Sequence, residues 1–381
     1  MQIPIKMVNM PIRYPVLCVA GLLAARLLSA QAAKPEPDVL LLTDGERLVG
    51  HFEQSDGSSV KFKSDVLGSV TVDWSKVKEL HTAQKFAVIP KNVELKKNAD
   101  VSSIPQGAVA VADQKITVTP VAGPVRSVNV ADADHLIEET SFENAVHRNP
   151  SFFSDWGGGV TLGAAIVQAT QESRSFTGAI NLIRTVPDED WLRRRNRTVA
   201  DFSFSYSTVE QPDTPTVRTE IYHADVERDE YLRPSLFVFG LAAFDHNFSQ
   251  GLNLQQSYAV GLGWSVIKRA NESLDLKAGM SYVRQEFQIA SVDRNTLGSV
   301  FEEDFTRIFG RGIKFSQQLV IAPGWTDSKA FTAFGSAAVT FPVYKRASFS
   351  LGVIDNYLLD PPPGFRKNSF QAVMGLNYAL R

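Results

Sequence analysis

One cysteine, Cys18, stands in 381 residues. With Cys18 inside a leader-like segment, no disulfide framework, thiolate metal site or catalytic thiol is available. An excess of one charge sign is also lacking. The net charge is −2, so there is no global electrostatic case for nucleic acid. No apolar run of about 18 residues follows the N-terminus, so no transmembrane helix is expected there. None of His51, His81, His135, His147, His223 and His246 forms a metal-ligand pair with helical spacing and a carboxylate. There is no G-x-S-x-G elbow for a serine nucleophile. Gly157-Gly158-Gly159 is not followed by a lysine and a helix, so it is no phosphate loop; it suits a bend or close backbone packing. Asp245-His246-Asn247 names parts of a hydrolase, but neighbours on a strand point to opposite faces. No cofactor and no metal is expected, and the chain does not read as an enzyme.

What the chain has instead is alternation. In Gly251–Ile267, Leu252, Leu254, Tyr258, Val260, Leu262, Trp264 and Val266 share one parity. Asn253, Gln255, Ser257, Ala259, Gly261, Gly263 and Ser265 hold the other. A strand would show one oily, aromatic face and one small, polar face. A strand needs about 9–11 residues to cross a bilayer with lipid outside and polar groups inside. A barrel also accounts for the modest hydrophobic content of 44%, because half of each strand is polar.

The N-terminus reads as a secretory signal. Lys6 and Arg13 are a basic n-region, Val16–Ala25 is apolar, and Ala30-Gln31-Ala32 is an A-x-A cleavage site, giving residues 1–32 as signal peptide. Leu17 is too large for the position before a lipidated cysteine. Residues 33–150 read as a small β module with a spacer and a short helix. Asp44-Gly45, Asp56-Gly57 and Leu67-Gly68 separate Val39–Leu42, Leu48–Phe52, Val60–Lys63 and Val70–Trp74. Short strands joined by tight turns predict an SH3-like or Sm-like barrel. Phe52, Phe62 and Trp74 are its large aromatics, the latter two in core positions. A helix is expected around Leu136–Val146, ended by Asn149-Pro150.

Residues 151–381 carry about twelve alternating stretches, beginning at Trp156, Phe176, Phe202, Tyr222, Leu236, Gly251, Leu274, Phe301, Ile313, Phe331, Phe349 and Phe370. The predicted fold class is all-β: a transmembrane antiparallel β-barrel of about twelve strands behind the small module. An even strand number suits a bacterial single-chain barrel. Short connections at Arg233-Pro234, Gly310–Gly312 and Tyr344–Ala347 would face the periplasm. Longer ones at Phe287–Thr296 and Leu358–Lys367 would face outside. Pro187–Asn196 breaks that rule.

Asp38–Leu48 (DVLLLTDGERL), Gly68–Val77 (GSVTVDWSKV), Trp156–Gly163 (WGGGVTLG), Asp201–Tyr206 and the strand-rich tail resemble the family of outer-membrane barrels of unknown function labelled salt-induced outer-membrane protein. The resemblance implies an outer-membrane barrel, a periplasmic β module and no established reaction. One departure is the end of the chain, Tyr378-Ala379-Leu380-Arg381, where such strands usually close on an aromatic residue.

By parity, Asp201, His223, Asp225, Glu227, Asp245, Asp275, Lys277, Glu302, Asp304 and Lys314 line the lumen, with Asp229 among them. An open acidic lumen would prefer cations. In a filled one the carboxylates would pair with arginines, of which Arg197, Arg218, Arg228, Arg284 and Arg307 are candidates. The expected function is a narrow cation-preferring channel or envelope-stress component of a Gram-negative-type outer membrane. The alternative is a periplasmic binding or adaptor module anchored by a closed barrel. Expected partners are outer-membrane lipid and, through the N-terminal module, envelope proteins, with no nucleic acid.

Overall fold

A computed structural model describes residues 37–168, 172–210 and 215–380. The signal segment 1–32 with Cys18, and Arg381, lie outside the described residues. The chain divides into two compact units.

The first unit, running up to Ile89 and from Pro105 to Glu138, is built from β1 (Asp38–Leu42), β2 (Arg47–Ser55), β3 (Ser59–Ser64), β4 (Gly68–Asp73), β5 (Val77–Pro90), β6 (Gln106–Ala112), β7 (Lys115–Thr119), β8 (Arg126–Asn129) and β9 (Ala133–Glu138). Both β1 and β9 pair with β2 and with β5, so these four strands close a small ring. β3 and β4 extend it on one side, and β6, β7 and β8 on the other. The alternating apolar residues fill its centre: Leu40, Phe52, Val60, Phe62, Leu80, Phe86, Ile116 and Leu136 are buried together with Trp74. Two polar anchors lie in this core. The buried Asp38 carboxylate accepts from the Phe52 and Ala83 amides at 2.8 Å each, and the Trp74 indole donates to Ser55 Oγ at 2.9 Å. Phe62 and Trp74 are core residues, as their parity requires.

The second unit holds Pro90–Ile104 and everything from Glu139. Its helix α1 (Glu139–His147) buries Phe142 and Val146, one turn apart. The helix begins later than the sequence pattern suggests, because Leu136 is drawn into β9 and the module core. Phe142 stacks on Trp191 with centroids 5.3 Å apart, and the Arg193 amide donates to the Leu95 carbonyl at 2.8 Å. These contacts order the 187–195 connection, which explains why it is long where its counterparts are tight turns.

Twelve strands follow: β10 (Trp156–Gln168), β11 (Glu172–Val186), β12 (Asn196–Glu210), β13 (Val217–Arg233), β14 (Leu236–Asn247), β15 (Leu252–Arg269), β16 (Glu272–Phe287), β17 (Arg294–Ile308), β18 (Lys314–Ala322), β19 (Thr332–Tyr344), β20 (Ala347–Leu358) and β21 (Asn368–Ala379). Each pairs antiparallel with the next, and β21 returns to β10, so the sheet is a closed barrel. One end carries tight turns such as Pro234-Ser235 and Lys345-Arg346; the other carries longer loops such as 323–331 and 359–367. The outer surface is an apolar band with aromatic residues at both ends. Phe153, Trp264, Phe309, Tyr344 and Tyr378 are exposed toward the turn end, and Tyr222, Phe244, Tyr258, Trp325 and Phe370 toward the loop end. Gly158 (φ +142°) sits where a Cβ would lie 2.0 Å from the Asn181 carbonyl, so the glycine run provides close strand packing.

One expected outward residue is turned in. Leu252 is only 4% exposed and packs with Phe287 and Leu358 at the loop end. The pairing of β15 with β16 shifts register between Leu252 and Leu254, and that bulge moves Leu252 to the other face.

Trp74→Phe keeps a ring in the module core and removes the indole donor to Ser55. We expect a loss of about 1 kcal/mol, read as reduced hydrogen-exchange protection of the module amides in urea. Asp56 supplies a pH dependence. Partial burial pushes its carboxyl up, but hydrogen bonds from Ser58 and Ser59 together outweigh this and hold it below the usual carboxylate range. A carboxyl depressed on folding adds stability above its unfolded pKa, and that stability is lost as pH falls through the folded value. Asp56→Asn should therefore destabilise the module at neutral pH, and the difference should shrink as pH falls below the usual carboxylate range, compared by the same exchange experiment.

Candidate functional site: the charged interior of the barrel

Inward residues of the barrel meet in layers. Nearest the turn end, Arg197 on β12 donates to Asp229 on β13 at 2.7 Å and to Asp275 on β16 at 2.8 Å. The second contact spans four strands, so it crosses the lumen. The guanidinium lies 5.6 Å over Phe237, which packs against Tyr231. Arg194 donates to the Tyr231 hydroxyl at 3.2 Å from the same side.

Lys277 on β16 anchors the next layer. Its Nζ reaches Glu227 on β13 at 2.6 and 2.8 Å, Glu302 at 3.1 Å and Asp304 at 3.0 Å, the last two on β17. Its side chain is 4% exposed. Gln318 adds a hydrogen bond to Glu302 at 2.9 Å, and Phe239 lies 6.0 Å beneath the ammonium. One cation thus serves three carboxylates. A buried charge is tolerable only when paired and hydrogen-bonded, so the lysine is what allows three acids to share this level.

Toward the loops, His223 on β13 lies between Asp245, 2.6 Å from Nδ1, and Asp225, 2.9 Å from Nε2. Its ring stacks at 6.3 Å and 10° on Phe334 of β19. In a ring of twelve strands, β13 and β19 face each other, so this contact spans the lumen. Asp201 lies directly opposite Asp225 in the β12–β13 register and accepts from Asn181 at 2.5 Å. Gln255 donates to Asp245 at 3.2 Å and accepts from Gln285 at 2.7 Å. Beyond this, the β14–β15 connection folds across the mouth. Gln250 donates to the Asn356 and Lys367 carbonyls at 3.0 and 2.6 Å, and Arg294 donates to the Asp360 carbonyl at 3.1 Å.

Nine of the ten residues chosen by parity therefore fall into two groups plus the Arg197 pair: Glu227, Lys277, Glu302 and Asp304; Asp201, His223, Asp225 and Asp245; and Asp275 beneath Arg197. Lys314 stands apart as an exposed residue at the turn end of β18. Of the five arginines considered as partners, Arg197 enters the lumen. Arg218, Arg228, Arg284 and Arg307 pair with Glu220, Glu230, Glu286 and Glu272. Sequence reasoning passed over Phe334, Phe237 and Phe239. Their signal was aromatic residues on the parity that is otherwise polar, and it is why β14 looks apolar on both faces. No cluster suited to a metal ion occurs among the described residues.

The sequence pattern of the family described as protein of unknown function, DUF481, matches residues 160–380, more than half of the chain. The chain belongs to the DUF481 family. Among curated proteins, no sequence matches this DUF481 chain. Solved structures match it at low identity. The translocator domain of the autotransporter NalP from Neisseria meningitidis is 8% identical, with a TM-score of 0.33 over 58% of this chain and 86% of that one. The COG4313 outer membrane channel from Pseudomonas putida F1 is 11% identical, with a TM-score of 0.35 over 61% of this chain and 100% of that one. The CymD monoaromatic hydrocarbon channel is 9% identical, with a TM-score of 0.28 over 79% and 87%.

Lys277→Met should leave Glu227, Glu302 and Asp304 crowded without their cation. Removing one partner of a buried ion pair costs about 3–5 kcal/mol, and urea unfolding of the refolded barrel should show a loss of that order. Adding Glu302→Gln to Lys277→Met should recover part of it.

Proposed function

We propose that this protein is an outer-membrane barrel of a Gram-negative-type envelope, with its N-terminal module in the periplasm, and that its acidic interior forms a narrow path for small cations. Closure supports the membrane placement, since a spanning sheet must leave no unpaired edge in lipid. So does the apolar outer band between two aromatic borders. No helix among the described residues is long and apolar enough to cross a membrane.

One observation carries the cation preference. Asp201, Asp225, Glu227, Asp229, Asp245, Asp275, Glu302 and Asp304 outnumber Arg197, Lys277 and His223 in the interior. A lumen with surplus carboxylates favours cations and disfavours anions. The path is narrow because Arg197–Asp275 and His223–Phe334 meet across it.

Those cross-lumen contacts also favour a second reading, a closed barrel that anchors the β module for envelope partners. Single-channel recording in a planar bilayer separates the two. We expect small discrete steps and a reversal potential of cation sign in a salt gradient. Asp225→Asn with Asp304→Asn should bring that potential toward zero. Stable insertion without steps would sink the channel reading and leave the anchor.

A further inference from the structure

The outer face of the barrel carries a carboxylate where lipid should be. Glu303 lies on the outward parity of β17, between Phe301 and Phe305 along its strand and between Leu276 and Leu319 across it. Its height follows from the register. A single row of paired residues runs Arg233, Leu236, Trp264, Leu276, Glu303, Leu319, Gly335, Asp355 and Phe370. It starts at the turn end of β13 and finishes near the loop end of β21. Because barrel strands tilt, such a row climbs from one rim to the other. Glu303 is its middle member and so sits near mid-height of the apolar band.

A polar group at that depth needs a partner, because hydrocarbon offers none. Among the described residues Glu303 accepts one long hydrogen bond, 3.5 Å, from Gln317 on β18. That amide is itself on the outward face, between Phe315 and Leu319. Beside the pair is a depression of about 450 Å³ lined by Leu262, Trp264, Leu276, Ala278, Phe301 and Leu319, with Glu303 on its wall. Next to it, Phe305 and Phe315 stand together with centroids 6.1 Å apart. The face therefore holds an acceptor and a donor, and a hollow and an aromatic pair.

A lipid headgroup does not fit this acceptor. Headgroups lie about 15 Å from the centre of a hydrocarbon layer about 30 Å thick, and Glu303 is near that centre. A second membrane-embedded chain does fit. Under a two-fold axis the same patch meets itself, so each donor can face an acceptor and each aromatic pair a hollow.

We propose that this face is a homodimer interface, with Gln317 of each copy set against Glu303 of the other and the Phe305–Phe315 pair seated in the opposing depression. The inference rests on the membrane placement proposed above and goes beyond it.

The test uses the full-length chain, extracted from outer membranes and placed in lipid nanodiscs, with mass read by native mass spectrometry. A dimer is expected. Glu303→Leu combined with Gln317→Leu should lower the dimer fraction by about tenfold or more, while heat-modifiable migration on gels reports that the barrel still forms. Cys18 is the sole native cysteine, so in a Cys18→Ser background single cysteines can report proximity in intact membranes. Phe305→Cys chains co-expressed with Leu276→Cys chains, which place one cysteine on the aromatic pair and one in the depression, should give a disulfide species of twice the monomer mass. Val226→Cys, exposed on β13 away from this face, should not. Monomeric wild type in nanodiscs overturns the proposal. So does a dimer untouched by the double substitution, equal cross-linking at Val226, or a cross-linked species of another mass. Absence of the chain from the outer-membrane fraction would overturn the membrane placement as well, whereas a membrane-resident monomer removes the dimer alone.

Discussion

The pairing of β21 with β10 is the constraint on which the rest of the barrel depends. It runs only from Gly159 opposite Ala379 to Leu162 opposite Leu376, and small residues make it possible. A Cβ on Gly163 would lie 2.6 Å from the Met374 carbonyl, and one on Gly375 would lie 2.7 Å from the Thr161 methyl. Thr161 and Asn377 add an inward hydrogen bond across the seam. Without this seam the sheet would have two free edges, each a row of unpaired amides and carbonyls. With it, every residue of the twelve strands is committed to the outer face or the interior.

That commitment has opposite consequences on the two faces. Outside, the apolar residues need no individual partners, and alternation suffices. Inside, polar side chains are withdrawn from bulk water and need specific ones. The barrel answers with long side chains that reach across: Arg197 to β16, Lys277 to β13, His223 to the ring of Phe334. The inward aromatics follow from the same logic. Phe237 and Phe239 lie under Arg197 and Lys277, where ring faces attract the cations and fill space that shorter polar residues would leave. The interior is thus a set of interlocked ion pairs, each member of which is costly to remove alone.

This division explains what could be read from the chain. The outer face repeats with period two, and the twelve strands are legible in it; of the ten residues chosen by inward parity, nine lie in the charged layers. The interior contacts were not visible, because partners such as Arg197 and Asp275 lie 78 residues apart and meet through barrel curvature. Leu252 was misplaced because a bulge changes parity without marking the sequence. In the module, β1 to β4 were legible from their Asp-Gly and Leu-Gly turns. The closing strand β9 was not, since it joins β2 from some 80 residues away, Leu136 opposite Ser55. Lys314 shows the limit of parity: it gives direction but not depth, and a strand end is outside the layer its direction implies.

The two faces also bear differently on function. Inside, a surplus of carboxylates coexists with contacts that span the lumen, so charge preference and passage are separate properties of the same side chains. Asp225 and Asp245 supply negative charge, but they also hold His223 against Phe334 and so narrow the lumen. Neutralising them would change the charge and the width of the interior together. Lys277 presents the converse case, because the cation that offsets the acidic lining is the one that holds three acids at one level. Any passage through this barrel therefore depends on rearranging ion pairs rather than on widening an empty pore.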